Sequence, residues 1–310
     1  MDMSLSSTFQ ACLNIKENES VLLLTDTEMR DISDIIKSAL TPLTKNLSLL
    51  VMEPRNMHGE ELPPDVTDAM AAADVVIGAT AKSMTHTEAT RNAVNHGVRV
   101  ASMPGITIEM LTWGGMTADY IEVSKMARKV ADILSLGKTI EIKTSAGTDF
   151  RADITGRKGF SDTGLLTEKG VYGNLPGGEG FIAPVEGTSG GRLVFDGPIA
   201  GSGLVHDPIV VEVEEGRAVF TNYDVLEKVF KDIENSINVA EIGVGVNPAA
   251  KLIGNVLEDE KVWGTVHVAF GSNTSFGGVV EAEVHLDGII KEPTLIVDGK
   301  TVISQGRLNI

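Results

Sequence analysis

The chain has 310 residues, 42% of them hydrophobic, and a formal charge of −17 from 43 acidic and 26 basic side chains. That length supports a sizeable core in one or two domains, and the acidic balance repels a phosphate backbone, which argues against nucleic-acid binding. A single cysteine, Cys12, excludes both an internal disulfide and a thiolate metal cluster within the chain.

The first twenty residues carry no basic segment followed by an apolar one, so they do not read as a signal peptide. No apolar run approaches the roughly 20 residues of a membrane span. The expectation is a cytoplasmic protein without membrane contact. From there strands and helices alternate. "SVLLLTD" is a short buried-strand run, and "DISDIIKSAL" has helical spacing at Ile32, Ile35, Ile36 and Leu40. "LSLLVME", "VVIGAT" and "VRVASMPG" are further strands. They are separated by the helices "DVTDAMAAAD" and "HTEATRNAVNHG", the second with Thr85 as its cap. A long helix runs through "ADYIEVSKMARKVADILSLG". The alternation predicts a Rossmann-like parallel sheet over residues 1–137. "TDTEMRD" follows the first strand where a nucleotide-binding turn would need glycines, so no dinucleotide site is expected. His86 reads as a local hydrogen-bonding residue.

From residue 138 the pattern changes to period-two strands joined by acid-Gly turns. "TIEIKTSAGTDFRADITGR" is a hairpin, and "RLVFDG", "PIVVEVEEGRAVFTNYD" and "PTLIVDGKTVISQG" are further strands. Two helices interrupt, "DVLEKVFKDIENS" and "NPAAKLIGNVLED". The fold class is therefore α/β, a parallel N-terminal domain followed by an α+β, mostly antiparallel domain over 138–310.

Candidate chemistry gathers in this second part. Glu179 stands among glycines in "NLPGGEGFIAP", where the backbone can approach a neighbour closely. Glu241 precedes the apolar, Gly-rich "IGVGV", and a partly buried carboxylate there needs a partner. His267 alternates with apolar residues in "TVHVAFG". In "EAEVHLDG" a strand would place Glu281, Glu283, His285 and Asp287 on one face. His and Asp two apart on a strand can reach one ion, a nitrogen and an oxygen donor suited to Zn, Mn, Fe or Co.

At these residues the sequence resembles the aminopeptidase T/aminopeptidase S metallopeptidases, the leucyl aminopeptidase-like family. "NLPGGEGFIAP", "AEIGVGVNP", "HVAFG" and "HLDG" occur in the family's order. The resemblance implies a two-metal site ligated by Glu179, Glu241, His267, His285 and Asp287. Asp287 or Glu241 would bridge the ions, and Glu179 or Glu241 would serve as general base. It implies Zn, Co or Mn as cofactor, a small peptide or amide as substrate, and a homodimer. Thr274 stands where those peptidases have a tyrosine. A related branch, similar to 2,5-dihydroxypyridine dioxygenase, uses one Fe(II) held by two histidines and an aspartate. A histidine of that branch stands where this chain has Glu241. The acid set sides with the hydrolases, so the expectation is a metal-dependent aminopeptidase. The alternatives are an Fe(II) ring-cleaving dioxygenase and an inactive small-molecule-binding homologue.

Overall fold

In chain order the elements begin with α1 (Leu5–Leu13), β1 (Ser20–Asp26), α2 (Arg30–Leu40), β2 (Asn46–Met52), α3 (Pro64–Ala71), β3 (Val75–Ala79), α4 (Glu88–Asn95), β4 (Arg99–Ser102), α5 (Ile108–Thr112) and α6 (Tyr120–Leu136). There follow β5 (Thr139–Lys143), β6 (Asp149–Asp153), β7 (Phe160–Asp162), β8 (Tyr172–Asn174), β9 (Glu179–Ile182), β10 (Gly190–Phe195), β11 (Ile209–Glu214), β12 (Arg217–Thr221) and α7 (Asp224–Asp232). The chain ends with β13 (Val239–Gly245), α8 (Val256–Asp259), β14 (Val266–Gly271), β15 (His285–Ile290), β16 (Thr294–Val297), β17 (Lys300–Ser304) and β18 (Arg307–Leu308). The structure, a computed structural model, describes residues 4–85, 87–200 and 202–310, so His86 lies outside the described residues.

The chain divides into two compact units, one of residues 1–124 with 162–177 and the other of residues 125–161 with 178–310. The sequence boundary after residue 137 and this division differ in that the division falls inside α6 and returns 162–177 to the first unit. That returning segment adds β8 to the edge of a parallel sheet in the order β2-β1-β3-β4-β8. β3 is buried along its whole length and β1 nearly so, the mark of parallel strands covered on both faces. Helix α2 buries Ser33, Ile36 and Leu40, a stripe at helical spacing. At the end of β1 the Asp26 carboxylate accepts from the amides of Glu28, Met29 and Ala81 at 3.1, 3.0 and 2.6 Å. These amides, which a phosphate would need, are already bonded to a carboxylate. The cap of α4 is Thr87, whose hydroxyl accepts from the Thr90 amide, and not Thr85 as the sequence suggested.

The second unit holds two antiparallel sheets, β12-β11-β10-β6-β5-β16-β17-β18 and β15-β14-β13-β9-β7. Its core joins Ala127, Val130 and Leu134 of α6 to apolar residues of both sheets. Two local expectations fail here. The helix read over "NPAAKLIGNVLED" is reduced to the four residues of α8. Gly254 at φ +83° breaks a helical path ahead of it. Glu281 and Glu283 lie before β15, exposed, and not on its strand face. The reason is a loop clipped by Asn273: its amide donates to the Val280 carbonyl, and its side-chain oxygen accepts from the Val280 amide at 2.9 Å.

Candidate metal centre

The register of the five-stranded sheet brings the predicted residues together. Across β9 and β13, Glu179 faces Gly245 and Phe181 faces Gly243. Across β13 and β14, Gly243 faces His267 and Glu241 faces Ala269. Across β14 and β15, Ala269 faces Asp287 and Gly271 faces His285. With side chains alternating along each strand, all five predicted residues share one sheet face. The other face carries Ile182, Ile242, Val244, Val266, Val268, Phe270 and Ile290 into the core. Small residues make room on the polar face. A Cβ at Gly243 would lie 2.0 Å from His267 Nε2, so the imidazole occupies the space a side chain would take. A Cβ at Gly245 would lie 2.2 Å from the Val262 carbonyl oxygen, so that glycine admits the 260–262 backbone against the sheet.

Two overlapping groups of donors result, Glu179-Glu241-His267 and Glu241-His285-Asp287, each with ligand atoms within 4.8 Å of one another. His267 is fully buried, with Nε2 3.1 Å from Glu179 Oε2 and 3.3 Å from Glu241 Oε1. The Glu179 contact is an ion contact off the N–H direction, since Oε2 makes no aligned hydrogen bond. His267 Nδ1 also has no hydrogen-bond partner among the described residues. His285 differs. Its Nδ1 lies 2.8 Å from the Ser272 carbonyl oxygen, which only a protonated Nδ1 can satisfy. Nε2 then points to Glu241 Oε2 at 3.5 Å and Asp287 Oδ1 at 3.4 Å, both longer than an aligned hydrogen bond. With Nδ1–H committed to the carbonyl, Nε2 is the nitrogen left facing the carboxylates, where it carries a proton without metal and can give it up to a cation, the arrangement of a ligating histidine with a supporting carbonyl.

Burial alone would push the Asp287 carboxyl up, but the charge and close contact of His285 hold it down at about 2. Burial would lower His267, and the close contacts and charges of Glu179 and Glu241 outweigh it, so its pKa stands well above the ordinary imidazole value. His285 is raised likewise, against burial, chiefly by the Asp287 charge. Solvent reaches 32% of its side chain and weakens that attraction.

Sequence reasoning missed two members of the cluster. Lys261 is fully buried, its Nζ 2.5 Å from Glu179 Oε1 and 2.5 Å from Glu260 Oε1. Burial raises Glu260 to about 8, against the opposing pull of Lys261. Separating a buried pair of this kind costs about 3–5 kcal/mol. The signal was the "GVGV" of β13, whose glycines mark the close approach of a second backbone. The aromatic surroundings were missed as well. Phe160 stacks on Phe181 with centroids 5.9 Å apart, and Phe181 meets Phe276 edge to face at 5.5 Å. Phe276 in turn stands edge to face with the His285 ring at 5.8 Å. All three phenylalanines are half-buried. Glu186 fixes the loop that carries Phe276, accepting from Asn273 Nδ2 and the Val279 amide at 3.0 Å each and pairing with Arg157.

The donor chemistry fits a divalent cation. Carboxylate oxygens and a tautomer-fixed imidazole nitrogen converge in buried surroundings, where unpaired carboxylates are costly. Glu241, His285 and Asp287 would hold it.

Comparison with known proteins places the chain in a family. The profile of the 2,5-dihydroxypyridine 5,6-dioxygenase (NicX) family matches residues 3–310. A 2,5-dihydroxypyridine 5,6-dioxygenase of Pseudomonas putida KT2440 is 24% identical over 192 residues. That alignment takes in 56% of this chain and 55% of the relative, so it spans about half the length of the curated protein. The solved structure of 2,5-dihydroxypyridine dioxygenase from Pseudomonas putida KT2440 superposes with a TM-score of 0.79 at 20% identity, over 98% of this chain and 96% of that one. Wild-type AmpT from Thermus thermophilus superposes with a TM-score of 0.73 at 16% identity, over 99% and 98%. Identities this low show the fold alone. The family match overturns the expectation of a hydrolase, and with it the aminopeptidase and metalloprotease reading. That expectation rested on counting carboxylates, and Lys261 already neutralises one of those counted, Glu179. What the residues establish, from 3 to 310, is that this protein belongs to the 2,5-dihydroxypyridine 5,6-dioxygenase family.

Proposed function

We propose that this chain is a metal-dependent dioxygenase that opens the ring of a small dihydroxylated pyridine, with one Fe(II) held by Glu241, His285 and Asp287. The observation that carries the reading is the His285 environment. Its Nδ1 is committed to the Ser272 carbonyl, its Nε2 faces two carboxylates, and an aromatic wall begins at its ring edge. When bound, iron supplies the redox chemistry that a closed-shell ring lacks toward dioxygen, and both oxygen atoms enter the opened product. The protein's own contributions are placement and exclusion of water. Phe276 and Phe181 offer apolar ring faces and edges against which a planar heteroaromatic can pack. Glu186 and Arg157 hold the loop bearing Phe276, so that wall is set before substrate arrives. Glu241 gives the centre two carboxylates and one imidazole where the dioxygenase branch has two imidazoles and one carboxylate. The harder donor set favours Fe(II) or Mn(II) over softer ions.

The test is oxygen uptake by protein loaded anaerobically with Fe(II), then mixed with 2,5-dihydroxypyridine and its positional isomers. Uptake of one O2 per ring lost, followed by the fall in ring absorbance, is the expected result. Iron-loaded protein that consumes no oxygen with any isomer would overturn the reading.

A further inference from the structure

The two donor groups share Glu241, so the face has room on paper for two cations, one at Glu179-Glu241-His267 and one at Glu241-His285-Asp287. The chain already places a positive charge at the first. Lys261 Nζ lies 2.5 Å from Glu179 Oε1, and its backbone is fixed there because the Asn247 amide donates to its carbonyl at 2.9 Å. Gly245 leaves the space this segment occupies. The remaining Glu179 oxygen faces His267 Nε2. The donors of the first group thus face one another and an ammonium. Those of the second are held apart at 3.4–3.5 Å around His285 Nε2. The histidines differ in the same sense. His285 has the carbonyl support of a ligand on Nδ1, and His267 has none among the described residues.

We propose that Lys261 is a built-in cation that reserves Glu179 and His267, so that the centre accepts one divalent ion where the donor set alone would take two. Lys261 is a positioning residue. It acts through the Glu179 carboxylate it pairs with, and it sets how many ions enter. The physical basis is that a buried carboxylate requires a compensating charge, and an ammonium carried by the chain supplies it at every metal concentration. Without that ammonium, Glu179, Glu241 and His267 form a buried group of two carboxylates and an imidazole facing each other, which a second divalent ion would compensate. The proposal builds on the mononuclear reading above.

The experiment is metal stoichiometry on the full chain, by elemental analysis and by optical titration with Co(II), without substrate or oxygen. Wild type is expected to take one ion per chain. Lys261→Met is expected to take two, and Lys261→Arg, which keeps the charge, one. Two tightly bound ions in wild type would overturn the proposal, as would a folded Lys261→Met chain that still takes one. If Lys261→Met does not fold, the wild-type count and the folded variant Lys261→Gln decide on the same terms. The count and the oxygen assay fail independently. One ion without oxygen uptake keeps the role of Lys261 and discards the dioxygenase reading, and two ions in wild type with oxygen uptake discard the role of Lys261 and the single-ion site but keep the ring-opening activity.

Discussion

His285 and Asp287 stand two apart on β15, and the pleat points both to the same face. His285 has its Nδ1 tied to Ser272, and Asp287 is held at about 2 by its histidine. His285→Ala is expected to weaken binding of the divalent ion by more than about 100-fold, since loss of even a supporting partner costs about 10–100-fold. A circular dichroism spectrum should stay native, because solvent already reaches the side chain. Calorimetric titration with Mn(II) checks this, and unchanged affinity would remove His285 from the ligand set. The sign of the pH dependence follows from the raised His285 pKa. In the metal-free protein the protonated imidazolium is favoured by its carboxylates. A cation must displace that proton, so affinity falls as pH drops below the raised value and protons are released on loading. Titrations in buffers of different ionisation enthalpy should report a positive proton release near neutral pH. A release of zero would show that Nε2 was already unprotonated.

At the level of elements, the site is four strands and one clipped loop. The 273–280 loop carries Phe276 to the His285 ring, and Phe181 on β9 meets it from the sheet. Aromatic pairs are worth about 0.5–1.5 kcal/mol beyond burial, so Phe276→Ala is expected to raise KM for a dihydroxypyridine by about 2–10-fold. Metal stoichiometry should be unchanged, because Phe276 supplies no donor. A KM unmoved by the substitution would take Phe276 out of the substrate wall. Elements also explain what the sequence disclosed. The parallel strands and their helices were legible because alternating buried runs and amphipathic stretches are local patterns. Glu179, Glu241, His267, His285 and Asp287 were legible because each sits in a short, distinctive string. Lys261 was not, since its neighbours "DEKVWG" resemble any acidic surface turn, and only Gly245 on a distant strand brings it inward. Glu281 and Glu283 continued the period of β15 by composition, yet Asn273 captures that segment as a loop. α1 is short and buries only Thr8, Phe9, Cys12 and Leu13, too brief a stripe to stand out in the sequence. The short segment 162–177 gave no periodic signal that it would return to the first unit.

For the whole molecule, the charge of −17 and the buried acids act in the same direction. A strongly acidic surface raises the local concentration of divalent cations, and the site then selects by geometry. Because the ion binds the folded chain and not the unfolded one, it adds stability by mass action, about 2.7 kcal/mol at a hundredfold excess over Kd. For a unit of 150–250 residues each kcal/mol moves Tm by about 2–4 °C, so loading is expected to raise Tm by about 5–10 °C, reversed by a chelator. The gain should not be uniform. The three proposed ligands lie in the second unit, on β13 and β15. Local openings that break those strands lose the ion, whereas openings of β1–β4 do not. Hydrogen exchange with and without Mn(II) should therefore slow in peptides covering β9, β13, β14 and β15 and stay constant in those covering β1 to β4. Equal slowing in both sets would mean that the first unit also senses the ion, and slowing confined to β1–β4 would place the ion elsewhere. The first of these outcomes would leave the ligand assignment standing and change only how far its stabilising effect extends along the chain. The second would contradict the assignment of Glu241, His285 and Asp287 directly.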